Sequence, residues 1–340
     1  MWKIFLSHTK RDLELFYHPE AVKKLKTLGE VVKNLLAHLP KGDEQLLRLA
    51  GDADVIITEW NTGAGRLFFE NVKHLKAFIR CGVTTKNIDV EAATRAGVLV
   101  INTPNNYTIP MAELTIGFMI SLARNIIPFH NDTQQGKIPV SYNLYIRDQK
   151  LLYDSGFELS EKTVGIVGLG DIGKKVAKFA HLFNMKVLAY DPYVKDVPAY
   201  IKLVDLKELM QRSRFVTIHC KYTEETEYLI NQYYISLMRP DAYIINTARG
   251  LIIEEEALVK ALKNNKIAGA ALDVFATEPE IKNSHLLNLS NVIITPHIGA
   301  NTPETMYRQA IRTAEITETV LNGEVPSDVI NPQVISKYKQ

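Results

Sequence analysis

Short runs of β-branched and apolar residues alternate along this chain with stretches whose apolar positions recur at helical intervals. That alternation predicts parallel sheets covered by helices. Residues 2–6, 54–58, 75–80 and 98–102 read as strands, the second of them β-branched enough to be buried on both faces. A short helix is expected at about 90–96. The pattern breaks at Asn102-Thr-Pro-Asn-Asn106, and a long apolar helix is expected from about 110 to 125, in the core or at an interface. Residues 131–160 are polar and without periodicity, and predict an extended loop or arm whose Tyr142, Tyr145 and Tyr153 pack against a neighbouring subunit. After Glu161 a second alternating pattern places strands at 163–167, 185–190, 215–219, 242–246, 268–272 and 292–295, and a closing helix at about 303–322.

A length of 340 residues suggests two domains, since a single core rarely grows so large. Apolar residues make up 46% and charged residues 23%, the composition of a water-soluble globular protein. A formal charge of +2 with both signs interspersed argues against nucleic acid and against an anionic membrane surface. The apolar run at the start is too short for a secretory signal, and no stretch approaches the ~18 apolar residues of a membrane span. Two cysteines, Cys81 and Cys220, are too few for a disulfide framework, and no metal site is predicted. These features together predict a cytoplasmic protein.

The strongest chemical signal is Thr163-Val-Gly-Ile-Val-Gly-Leu-Gly-Asp-Ile-Gly173, a strand running into Gly168, Gly170 and Gly173 and then into a helix with Ile172, Val176 and Ala180 on one face. The first glycine permits a tight turn, the second admits a pyrophosphate to the backbone, and the third lets helix approach strand. Free N–H groups at the helix start face the phosphates. A further strand ends at Asp191, whose carboxylate suits the adenosine ribose hydroxyls and repels a 2′-phosphate, so NAD is the expected cofactor. The fold expected is α/β. A Rossmann-type doubly wound NAD domain at 108–298 is inserted into a smaller flavodoxin-like substrate domain at 1–107 and 299–340, with crossovers near 103–110 and 296–302 and the substrate in the cleft between the domains.

Ligands of such sheets sit beyond the carboxyl ends of the strands. There the chain offers Asn246-Thr-Ala-Arg-Gly250, Asp273-Val-Phe-Ala-Thr-Glu-Pro279 and Thr295-Pro-His-Ile-Gly299. Arg249 presents a bidentate fork to a carboxylate and polarises the neighbouring carbonyl. His297 is the general acid–base, and Glu278 beside it stabilises the imidazolium. Asp273 is placed to accept from the nicotinamide carboxamide. His219, also at a strand end but without a carboxylate partner, reads as structural.

These motifs, with Asn87-Ile-Asp89, Asn102-Thr-Pro104, Ala112-Glu113 and Leu272-Asp-Val-Phe275, resemble those of the D-isomer-specific 2-hydroxyacid dehydrogenases over roughly residues 75–332. The resemblance implies hydride transfer between nicotinamide and C2 of a small anionic 2-hydroxy or 2-oxo acid, with Arg249, Glu278 and His297 as catalytic residues. It implies cofactor contacts at Asp171, Ile172, Asp191, Cys220, Thr226, Thr247, Ala248 and Asp273, with Lys221 near the adenosine side, and a homodimer formed through the NAD domain and its long helix. The family's glycine-rich substrate loop is here Cys81-Gly-Val-Thr-Thr-Lys-Asn87, which places backbone donation at Val83 and Thr84 and adds a cation, Lys86. Arg80 and Arg95 stand where phosphoglycerate dehydrogenases keep arginines close to a phosphate. A short form of that enzyme is therefore one alternative, and an NAD-sensing protein similar to the corepressors of this fold is another.

Overall fold

Strands β1 (Trp2–Leu6), β3 (Val55–Thr58), β4 (Ala77–Arg80) and β5 (Leu99–Asn102) form where the apolar runs lie, and β2 (Gly29–Lys33), which the pattern did not reveal, joins them. All pair in parallel, in the order β2-β1-β3-β4-β5. Every residue of β3, β4 and β5 is buried, as expected of strands covered on both faces. The period-2 alternation sorts side chains between two cores. Ile4, Leu6, Ile57 and Ile79 pack under Ala21 and Leu25 of helix Pro19–Leu28 and Ala310 and Ala314 of helix Pro303–Leu321. Phe5, Ile56, Phe78 and Val100 pack under Leu46, Phe68 and Ala92 on the opposite face. This order, 2-1-3-4-5, is that of flavodoxin, and it reverses between β1 and β3.

The computed structural model describes residues 1–138, 156–278 and 284–338, in two compact units: Met1–Asn106 with Asn301–Gln340, and Tyr107–Ala300. Tyr142, Tyr145, Tyr153 and Pro279 lie outside the described residues.

The second unit carries β6 (Thr163–Val167), β7 (Lys186–Tyr190), β8 (Ile201–Leu203), β9 (Phe215–Ile218), β10 (Tyr243–Asn246), β11 (Gly269–Leu272) and β12 (Val292–Ile294). The sequence pattern gives six strands there; the structure has seven, because β8 is only three residues long. All are parallel, in the order β12-β11-β10-β9-β6-β7-β8. Counted within the unit this is the Rossmann order 3-2-1-4-5-6 with one strand added, and its switch point lies between β6 and β9. One face is covered by helices Thr108–Ala123 and Asp171–Leu182 through Ala112, Ile116, Met119, Val176 and Ala180. The other is covered by Leu209, Ile235, Leu258 and Leu262.

The long apolar helix ends at Ala123, and a second helix, Ile126–Gln134, follows it and runs into the 131–160 stretch that was expected to be a loop. Asn125 is the cause. Its left-handed backbone (φ 48°) interrupts the first helix and starts the second, a conformation asparagine adopts more readily than other non-glycine residues.

Candidate active site

At the end of β6 the chain turns through Gly168, whose φ of 93° suits glycine and whose added Cβ would stand 2.4 Å from the Cys220 nitrogen. Gly173 lies as close to the strand, since a Cβ there would meet the Gly168 oxygen at 2.2 Å. Around Gly170, by contrast, an added Cβ meets nothing within 4 Å. Gly170 is also the N-cap of helix Asp171–Leu182, and no side chain caps that helix start. Backbone N–H groups at a helix N-terminus beside open space form a cradle for a diphosphate. Past β7, Asp191 accepts from the Leu169 N–H (2.7 Å) through one oxygen and from the Tyr193 N–H (2.9 Å) through the other, which ties the carboxylate to the same turn. The residues present therefore fit a dinucleotide: Gly168, Gly170, Asp171, Ile172 and Gly173 for the pyrophosphate, and Asp191 for the adenosine ribose.

Three neighbouring strands lead into the turns that carry the side chains expected to be catalytic. The register Asn246↔Leu272↔Ile294 aligns the ends of β10, β11 and β12, so Arg249, Glu278 and His297 leave the sheet at the same edge. The turns after β10 and β11 interlock: a Cβ on Gly250 would stand 1.9 Å from the Phe275 carbonyl carbon, so only glycine permits this approach. Asn246 fixes the first turn by donating to the Arg249 carbonyl (2.9 Å) and accepting from the Ala248 N–H (3.0 Å). Arg249 is exposed, and its guanidinium donates to the Ala248 carbonyl at 2.6 Å.

His297 and Glu278 meet directly, with Nδ1 2.7 Å from Oε2. The other carboxylate oxygen accepts from the Phe275 N–H (3.0 Å), so Glu278 cannot swing away without losing a bond to its own turn. With Nδ1 shared with Glu278, Nε2 is the nitrogen left to face a substrate. His297 sits at φ 55°, a left-handed backbone that costs a non-glycine residue roughly 1–3 kcal/mol. What holds it there is Asp273. Fully buried, Asp273 accepts from Thr295 Oγ1 (2.6 Å), the Ile298 N–H (2.9 Å) and the Gly299 N–H (2.9 Å), gripping the His297 turn on both sides. The sequence reading gives Asp273 to the nicotinamide carboxamide; in the structure its oxygens accept from the residues that flank His297.

The other sequence-derived residues fall in several surroundings. Cys220 is half-buried against the glycine turn, and burial pushes its thiol up to about 11. Thr226 Oγ1 donates to the Lys221 carbonyl (2.6 Å) and accepts from the Thr223 N–H (2.8 Å), shaping the loop after β9. Thr247 is buried and Ala248 half-buried beside Arg249. His219 is bonded to Thr217 Oγ1 at 2.9 Å, and burial draws its imidazole down to about 3.

In the first unit, Val83, Thr84 and Lys86 are exposed, and Arg95 is an exposed partner of Glu91. Arg80 differs from its expected place. It is fully buried, and its guanidinium donates to the Glu59 and Thr62 carbonyls and to Asn87 Oδ1. Its strand position explains this, since β4 turns Arg80 to the same face as Phe78. Sequence reasoning missed the anchoring role of Asp273, because nothing in the linear pattern pairs a strand-end aspartate with a turn some 22 residues further on.

The profile for the NAD-binding domain of the D-isomer-specific 2-hydroxyacid dehydrogenases matches residues 116–299, more than half of the chain. The chain is 41% identical over 326 residues to a D-3-phosphoglycerate dehydrogenase of Methanocaldococcus jannaschii, covering 95% of this chain but 59% of that enzyme. It is 38% identical to a hydroxypyruvate reductase of Thermotoga maritima, covering 82% of this chain and 87% of the relative. Among solved structures, a D-lactate dehydrogenase from Aquifex aeolicus in complex with NAD and lactic acid superposes with a TM-score of 0.74 at 25% identity, covering 97% of this chain and 99% of that one. The glycine cradle and the partnered imidazole thus lie inside a matched NAD-binding domain, and the chain belongs to the D-isomer-specific 2-hydroxyacid dehydrogenase family.

Proposed function

We propose that this protein interconverts a small 2-oxo acid and the corresponding D-2-hydroxy acid. The observation that carries the reading is the 2.7 Å contact between His297 and Glu278 at the same strand edge as Arg249. When bound, NAD in its reduced form supplies the hydride that C2 accepts. Every other task falls to side chains of this chain. Arg249 pairs with the substrate carboxylate and draws electron density from the neighbouring carbonyl, aided by backbone donation from Val83 and Thr84. His297 delivers a proton from Nε2 to the carbonyl oxygen, which becomes the hydroxyl, and Glu278 stabilises the imidazolium before that transfer. In the oxidative direction His297 takes the hydroxyl proton back. Thr247, Ala248 and Cys220 line the cofactor, with Lys221 and Thr226 on its adenosine side. Lys86 adds positive charge near the acid, and Arg80 braces the loop that carries Val83 and Thr84.

The 41% identity to a phosphoglycerate dehydrogenase favours a second reading, in which the acid carries a phosphate. A homodimer through the second unit is supported by exposed Ile109, Ile126 and Ile127 on and just after its long helix. No single helix among the described residues is long and apolar enough to cross a membrane, and a cytoplasmic place of work is part of the proposal. The test is a panel of 2-oxo acids (glyoxylate, pyruvate, hydroxypyruvate, bulky 2-oxo acids and phosphohydroxypyruvate) followed through NADH absorbance. Turnover of at least one member is expected. Inertness across the panel would favour an NAD-sensing protein over an enzyme.

A further inference from the structure

The backbone amides of Phe275 and Ala276 are adjacent, and each donates to a different carboxylate. The Phe275 N–H goes to Glu278 (3.0 Å), the residue that meets His297. The Ala276 N–H goes to Oε2 of Glu255, at 3.2 Å. Glu255 is half-buried and belongs neither to the acid–base pair nor to the fork that takes the substrate carboxylate. Its other oxygen, Oε1, accepts from Ser284 Oγ at 2.8 Å. One carboxylate thus ties down the chain on both sides of Glu278, at Ala276 before it and at Ser284 after it.

The fold explains how a residue so distant in the chain comes to do this. Glu255 opens the helix Glu255–Lys263, and side chains on a helix lean toward its N-terminus, here toward the turn that follows β11. The segment leading into that helix is pinned. Ile253 bridges to Ile230, the Ile230 N–H donates to the Ile252 carbonyl (3.0 Å), and the Glu254 N–H donates to the Ile230 carbonyl (3.0 Å). Leu258 and Leu262 of the helix share a core with Phe275 and Leu286. Ser284 is anchored as well, since its Oγ accepts from the Leu286 N–H (3.2 Å). Gly250 closes on the same amide, because an added Cβ there would stand 2.3 Å from the Ala276 nitrogen. Glu255 therefore rests on a rigid base. The bond from Phe275 to Glu278, by contrast, joins two parts of one turn and cannot by itself fix that turn to its surroundings.

We propose that Glu255 is a positioning residue for the acid–base pair: by holding the chain on both sides of Glu278, it sets where that carboxylate meets His297. The inference rests on the reading of His297 and Glu278 as the groups that move the proton. Two consequences separate it from a general contribution to folding. The site needs hydrogen bonds from Glu255, not charge. A glutamine there keeps an oxygen for the Ala276 N–H and gains an amide that donates to Ser284 Oγ, whose second lone pair is available. The effect also passes through Glu278, so removing Glu255 should matter little once Glu278 is disabled.

The experiment measures kcat and NADH affinity for Glu255→Ala, Glu255→Gln, Glu278→Gln and the double variant Glu255→Ala with Glu278→Gln, on the 2-oxo acid that the wild type reduces best. Glu255→Ala should lower kcat about 10-fold, with the NADH dissociation constant within about 2-fold of wild type. Glu255→Gln should restore most of that loss. In the Glu278→Gln background the alanine substitution should cost less than about 2-fold. Equal losses in the two backgrounds overturn the inference. So does a wild-type kcat in Glu255→Ala, or a glutamine variant as impaired as the alanine one. If Glu255→Ala fails to fold, as judged by circular dichroism, Ser284→Ala takes its place in the cycle. It removes one of the two bonds and should cost about 3-fold in kcat when Glu278 is present and nothing measurable when it is not. An inert wild type would instead remove the reductase reading and this inference with it.

Discussion

At the carboxyl ends of its strands the seven-stranded sheet carries polar groups already partnered to one another, whereas the five-stranded sheet carries four buried polar atoms with no partner among the described residues. In the first case Glu278 is bonded to His297 and to its own turn, and Asp273 has three donors. In the second, Ser7 Oγ, His8 Nδ1, Thr62 Oγ1 and Arg80 Nε each lack a partner. Both edges lie where parallel sheets bind ligands, yet they have been given opposite properties. An acid–base pair must be held in one geometry before substrate arrives, which needs completed hydrogen bonds.

The comparison breaks most severely if the turns of the catalytic edge do not interlock. Gly250→Ala forces a methyl against the Phe275 carbonyl carbon, 1.9 Å away, so the Arg249 and Glu278 turns must part. A shift of about 1 Å at reacting groups costs about 10²-fold, and steady-state kinetics should show a loss of that order in kcat/KM. Unchanged kinetics would mean that the two turns are not packed as described. A smaller effect is expected from Asp273→Asn, which replaces one of the oxygens gripping the His297 turn with a donor. The loss should be about 10-fold in kcat, with thermal unfolding lowered by several degrees, given roughly 1–3 kcal/mol for an unsatisfied buried donor. If kcat falls while NAD binding, measured by fluorescence titration, is unchanged, Asp273 positions the imidazole. A large rise in the dissociation constant with kcat preserved would return it to the cofactor.

The smallest effect concerns pH. Burial holds His8 near 4 and His219 near 3, against an ordinary value of 6.5, so both are neutral in the folded protein. On acidification the unfolded chain takes up protons first. The stability from each is complete above pH 6.5 and is lost between 6.5 and about 4 for His8, and between 6.5 and about 3 for His219. The unfolding temperature should therefore fall across this window, and replacing both histidines by glutamine should flatten the slope. An equal slope in the double variant would show that other groups govern it.

What was legible in the sequence follows the same division. Apolar runs such as Val55–Thr58 and Tyr243–Asn246 are buried on both faces and announce themselves by β-branching. Three-residue β8 and the half-exposed β2 have too little apolar length to do so. Helix Lys10–Phe16 buries no residue and is held by a capping box between Thr9 and Asp12, a signal carried by two polar side chains outside any apolar period. In the candidate site, Arg249, Glu278 and His297 were readable because each follows a strand end. Arg80 was read through the family resemblance as an arginine close to a substrate phosphate, although its place two residues after Phe78 puts it on a core face. Which turn Asp273 would hold depends on contacts between strands, and no local pattern states that.

The central claim is that the imidazole of His297, steadied by Glu278, moves the proton. Its most direct test is kcat of His297→Ala on whichever 2-oxo acid the wild type reduces best, measured at saturating NADH. A fall of at least ~10²-fold is expected for loss of a general acid–base, with NADH affinity within a few-fold of wild type. A kcat within a factor of two of the wild-type value would contradict it.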